Sequence, residues 1–237
     1  MRRTPVPALL LVLALAGCSD DSPTVEPSPS FSLPPLETPS ETPSPTPSAT
    51  TSPTASATAS ASRRVPALDG DVDGDGKKDF VRTTAEVLTV DLSSGGTVTA
   101  PIHAESPRSA PVLGYADVDR DGRSEVFVET NQGASTQFVT PYRYDGKVLH
   151  ELQLEEGPAR LGIGGSVTHG DGFTCPNGQL RVLSSDSQDG VTYTVHITTY
   201  TLGRTELVQV SSTTKRAKQG DPLVESSYRP DCGSVGD

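Results

Sequence analysis

From Arg63 onward, apolar residues recur at alternate positions in short runs set off by Gly, Asp and Asn. Such runs cover Asp79–Thr83, Glu86–Asp91, Glu125–Glu129 and Gln137–Thr140, with longer ones over Val191–Tyr200 and Thr205–Thr213. A period of two puts successive side chains on opposite faces of a strand, and no segment sustains the period of about 3.6 residues that an amphipathic helix needs. Turn signals at Ser94-Gly95-Gly96, Tyr144-Asp145-Gly146-Lys147 and Leu202-Gly203-Arg204 predict hairpins. The pattern predicts one all-β domain over residues 63–237.

Upstream the pattern is different. Ser22 to Ser62 consists almost entirely of Ser, Thr, Pro and Ala, contains no Lys or Arg, and scatters Val25, Phe31, Leu33 and Leu36 without a period. Such a stretch cannot bury enough apolar surface to offset its chain entropy, which predicts a disordered tether over 18–62. Frequent Pro biases it toward extended polyproline II, at about 3.1 Å per residue and a reach on the order of 130 Å. Before the tether, Arg2 and Arg3 precede an apolar run, Ala8 to Ala16, which is too short to span a bilayer and ends in Leu15-Ala16-Gly17-Cys18. That ending resembles the lipobox of bacterial lipoproteins, and the tether resembles the wall-spanning stalk of actinobacterial members. The resemblance implies a signal peptide over 1–17 and cleavage before Cys18. It also implies acylation of Cys18 and a lipid anchor on the extracytoplasmic face of the cell membrane.

Composition narrows the chemistry. The 237 residues carry a formal net charge of −11, only 33% are hydrophobic, and three are Cys. An acidic chain lacks the basic surface that phosphate binding requires, so nucleic acid is not an expected partner. With Cys18 acylated, Cys175 and Cys232 form an even pair in an oxidising compartment, where a disulfide is the expectation. The alternative, a Cys ligand for a metal, lacks a second Cys or His at ligand spacing.

One segment repeats. Asp71-Val72-Asp73-Gly74-Asp75-Gly76-Lys77-Lys78-Asp79-Phe80-Val81 returns 46 residues later as Asp117-Val118-Asp119-Arg120-Asp121-Gly122-Arg123-Ser124-Glu125-Val126-Phe127. Acids stand at positions 1, 3, 5 and 9, Gly at 6, a basic residue at 7, and a β-type run begins at 9. Alternate acids in a tight turn aim oxygens at one point, as a hard cation such as Ca²⁺ requires. Without a cation, carboxylates so close repel one another. An EF-hand is excluded, because position 12 is Arg82 or Val128 where that loop needs a bidentate Glu. The pattern leading into a strand resembles the FG-GAP/VCBS repeat of integrin-type β-propellers. The resemblance implies up to two Ca²⁺, held by side chains of Asp71, Asp73, Asp75 and Asp79 and of Asp117, Asp119, Asp121 and Glu125. Lys77 and Arg123 would contribute main-chain oxygens. It covers roughly residues 65–157. A third unit from Leu161 loses the acids at His169–Gly178, and a degenerate blade pinned by the disulfide is expected there. The expected fold is thus a small or incomplete propeller-like stack of about three to four antiparallel blades.

Catalytic signatures are not apparent. The four His residues form no metal pair, and Gly164-Gly165-Ser166-Val167-Thr168 lacks the last Gly of a nucleophile elbow. Lys215-Arg216-Ala217-Lys218 reads as a solvated turn. The expected function is a lipid-anchored, calcium-stabilised β module that binds a protein or glycan, and it is not an enzyme. The alternatives are a small envelope hydrolase or lyase and a structural envelope protein. Exposed Tyr142, Tyr144, Tyr193 and Tyr200 flanking a groove would favour ligand binding, and a buried carboxylate pair outside the loops would favour catalysis.

Overall fold

A computed structural model describes residues 67–105, 110–155 and 157–237. The segments expected to form a signal peptide and a tether, with Cys18 between them, lie outside the described residues. The described chain is all-β, mostly antiparallel, with a single short helix, α1 (Pro222–Glu225). Strands β1 (Phe80–Thr83), β2 (Val87–Asp91) and β3 (Thr97–Pro101) form a three-stranded antiparallel sheet. A second meander follows, with β4 (Val112–Ala116), β5 (Glu125–Gln132), β6 (Thr136–Tyr144) and β7 (Leu149–Glu151). After a minimal hairpin, β8 (Gln153–Leu154) and β9 (Gly157–Pro158), a third meander runs through five strands. These are β10 (Leu161–Ser166), β11 (His169–Thr174), β12 (Leu180–Ser187), β13 (Thr192–Leu202) and β14 (Leu207–Lys218). The second and third meanders share one sheet, because the first half of β6 pairs with β10 and its second half with β7. No closed barrel or propeller is formed among the described residues.

The core explains why β5 reads Val126-Phe127-Val128 with no polar alternation. Val126 and Val128 join a cluster with Leu88, Val90, Ala100 and Tyr142, which packs the first sheet onto the second meander. Phe127 points the other way, into a cluster with Val139, Leu161, Phe173, Leu180 and Val235. It stacks on Phe173 with ring centroids 5.6 Å apart. A strand buried on both faces loses the polar half of its pattern. A third cluster, around Leu183, Tyr193, Val195 and Ile197, lies under α1 and β13.

Two segments differ from the sequence expectation. His169–Thr174, expected to take the place of the acidic loop in a degenerate third blade, is instead the strand β11, paired on both sides by β10 and β12. Lys215–Lys218 is not a turn but the end of β14, paired with β13. The disulfide between Cys175 and Cys232 is present, with Cα atoms 4.9 Å apart. It ties the end of β11 to the C-terminal strand β15 (Pro230–Asp231), which runs parallel to β11. Beyond it the C-terminal tail lies along β4, where Ser234 and Gly236 donate their N–H groups to the carbonyls of Tyr115 and Leu113 at 2.9 and 3.1 Å. The tail thereby covers an edge that would otherwise be open.

Candidate metal centre

The first acidic loop leads into β1 and the second joins β4 to β5, so each ends where a strand begins. Their second residues, Val72 and Val118, are buried at 0% and 2% exposure and plug the loops into two different core clusters. Position 6 is Gly76 or Gly122, in each case with positive φ (85° and 92°), the backbone region that glycine enters without steric penalty.

Hydrogen bonds give both loops one frame. The first acid accepts from the N–H groups of positions 5 and 6, as Asp71 does from Asp75 and Gly76 and Asp117 from Asp121 and Gly122. The third accepts from position 5, and the fifth from position 7. The ninth reaches back to the N–H of position 2: Asp79 to Val72 at 2.8 Å and Glu125 to Val118 at 2.9 Å. This frame gathers oxygens of Asp71, Asp73 and Asp79 within 4.8 Å of one another, and likewise those of Asp117, Asp119 and Glu125. Asp75 and Asp121 stand beside these clusters, bonded to Ser93 and Arg143 respectively.

The donor set is all carboxylate, which suits a hard cation. Within the second cluster Glu125 is 1% exposed, and its Oε1 has no hydrogen-bond partner. A buried carboxylate oxygen left unpaired costs about 1–3 kcal/mol or more, and a cation at this point would satisfy it. Burial pushes the Glu125 carboxyl well above its usual range, and the neighbouring Asp119 and Asp121 push it further against the opposing pull of Arg143. Burial likewise raises Asp117.

The two loops touch. Ser124 donates its N–H to the Asp71 carbonyl at 2.7 Å, and Arg123 Nε reaches the Asp73 carbonyl at 3.2 Å. Ala67 N–H donates to Asp117 Oδ2 at 3.3 Å. Separate repeats in sequence are thus one connected polar unit in space.

Three further groups were not singled out by sequence reasoning. Arg143 lies at 2.6 and 2.9 Å from Oδ2 of Asp119 and Asp121. Its partners sit more than 20 residues upstream, so no local signal marks it. His169 is held by Asp171 and Asp186 at 2.8 and 2.9 Å. Buried Glu151 accepts from Tyr142 Oη at 2.9 Å and meets His103 Nδ1 at 2.5 Å. Glu151 is the buried acid outside the loops among the described residues, so it forms no carboxylate pair. The tyrosines flank no shared groove, because Tyr142 and Tyr193 are buried at 0% and 3% exposure. An open cleft of about 770 Å³ does lie at the base of the second loop, bordered by Asp69, Tyr115, Asp117, Arg120 and Ser234.

No family model, curated protein or solved structure matches the chain.

Proposed function

We propose that this protein is a lipid-anchored extracytoplasmic lipoprotein displaying a calcium-stabilised, propeller-like β module that binds a protein or glycan. The observation that carries the reading is the repeated loop. Two copies, with the same hydrogen-bond frame, bring three acids each within 4.8 Å, and one copy leaves a buried carboxylate oxygen unpaired. In this reading the three meanders would be the units of an incomplete stack, with the second and third joined in one sheet. Asp71, Asp73, Asp75 and Asp79 would hold one Ca²⁺, and Asp117, Asp119, Asp121 and Glu125 a second, with main-chain oxygens of Lys77 and Arg123 completing the shells. The ion neutralises clustered carboxylates and thereby stiffens both loops and the strands they feed. The cleft beside the second loop, with the Tyr115 ring and acidic, basic and hydroxyl groups around it, suits a polar ligand such as a saccharide or an extended peptide.

Calorimetric titration of the full chain with about 5 mM Ca²⁺ tests the ion, since extracellular modules bind at roughly 10⁻⁴–10⁻³ M. Binding supports the reading, whereas no heat and no change in melting on chelation would remove it. The anchor is tested by Cys18→Ser, which should move the protein from the membrane to the soluble fraction. Unchanged partitioning would contradict the lipid anchor.

A further inference from the structure

Resting on the calcium reading above, we infer that Arg143 is a tethered cation that neutralises the second loop in place of an ion, so that Ca²⁺ binds the two loops unequally and must displace this side chain to enter the second. The argument starts from the shared frame. In both loops one oxygen of acids 3 and 5 is taken by loop N–H groups, which leaves Oδ2 of each directed elsewhere. In the first loop those oxygens receive neutral hydroxyls, Ser94 on Asp73 and Ser93 on Asp75. Ser93 also gives its N–H to Asp79 Oδ1 at 2.7 Å. Both serines come from the turn between β2 and β3. In the second loop the corresponding oxygens of Asp119 and Asp121 receive one guanidinium, from Arg143 near the end of β6, at 2.6 and 2.9 Å. Each partner comes from the next hairpin of its own meander, but one repeat supplies dipoles and the other a full positive charge.

The ninth acid reports the same difference. Asp79 has both oxygens paired, whereas Glu125 Oε1 lies 4.0 Å from Arg143 Nε, within Coulombic reach and beyond a hydrogen bond. Arg143 therefore offsets charge in the second loop without completing its coordination. The side chain is only 13% exposed, and its Nη1 donates to the Gly203 carbonyl at 3.2 Å, in the turn between β13 and β14. That bond fixes the guanidinium from behind. An entering divalent ion would meet a like charge and would have to release two charge-assisted hydrogen bonds. Each such bond is worth roughly tenfold in affinity or more, so the second loop should bind on the order of 100-fold more weakly than it would without the arginine. The first loop carries no such competitor.

Calcium stoichiometry and affinity of the full chain test this, with melting recorded in parallel. Wild type should show one stronger site, which Asp73→Asn removes. Arg143→Met should add a second site of comparable strength, and the double variant D73N/R143M should retain one site, assigned by elimination to the second loop. Arg143→Lys keeps the charge but not the Gly203 bond that fixes it, so its second site should fall between those of wild type and R143M. If R143M folds only when Ca²⁺ is present and not at the same ionic strength of NaCl, the exchange of arginine for ion is supported equally. Two equal sites in wild type, unchanged by R143M, would overturn the inference and leave the calcium reading standing. No binding by wild type or R143M would overturn both.

Discussion

At single residues, two charged groups of opposite kinds tune stability. Glu125 sits buried with one oxygen unpaired, and desolvation holds its carboxyl well above the ordinary range. Glu125→Gln keeps the shape and removes the charge, so it should stabilise the metal-free protein by about 1–3 kcal/mol, a rise of roughly 2–4 °C in Tm per kcal/mol. A fall in the metal-free Tm would show that Arg143 already offsets the buried charge. His169 gives a pH signature. Its pKa is raised, chiefly by the Asp186 hydrogen bond and further by Asp171, against the effect of burial. A raised histidine stabilises fully below its unfolded value near 6.5, and the gain is lost as pH rises through the folded value. Wild type should therefore lose stability relative to His169→Gln over that interval in pH-resolved melts. The side chain is 43% exposed, so solvent screening keeps the effect below about 1 kcal/mol.

At the level of elements, strand type was legible where apolar residues mark a buried face and obscure where they are replaced by glycines or exposed polar residues. β1, β2 and the hairpin turns follow the alternation seen in the sequence. β14 runs past its Thr205–Thr213 pattern to Lys218, where Thr214–Arg216 is exposed on both faces and is held by backbone pairing with β13 and by the hydrogen bond between Thr214 and His196. β11 was hidden by Gly170-Asp171-Gly172, which reads as a loop. The glycines are there because residues 226–229 lie against this strand, and a Cβ on Gly172 would fall 2.4 Å from the Ser226 carbonyl oxygen. Gly172→Val should cost about 3 kcal/mol or more, read as a large drop in denaturation midpoint. Tolerance of valine would mean that the 226–229 segment is not seated as described. The acids of the metal loops were legible from their spacing, but the residues that finish the site were not. Ser93, Ser94 and Arg143 come from neighbouring hairpins, and only the fold brings them to the loops.

At the scale of the whole molecule, the polar loops and the C-terminal tail hold together what the meanders alone do not close. Cys232 anchors the tail that runs along β4, and Ser234 Oγ also reaches Asp69 just before the first loop at 2.7 Å. Reducing the Cys175–Cys232 bond should cost about 2–4 kcal/mol. Hydrogen exchange should then speed first in β15, the tail and β4, and uniform loosening would argue against the tail as an edge cover. The contacts of Ser124 and Arg123 with the first loop mean that losing one ion site should weaken the other, contrary to the independence that separate repeats suggest. The account stands most directly on calcium stabilisation of the native fold. Melting the full chain with chelator, with millimolar Ca²⁺, and with NaCl at matched ionic strength measures it. The account predicts the highest Tm with Ca²⁺ and a partial gain with NaCl through screening of the clustered carboxylates. Equal Tm with Ca²⁺ and with chelator would contradict it, leaving the two loops as acidic turns.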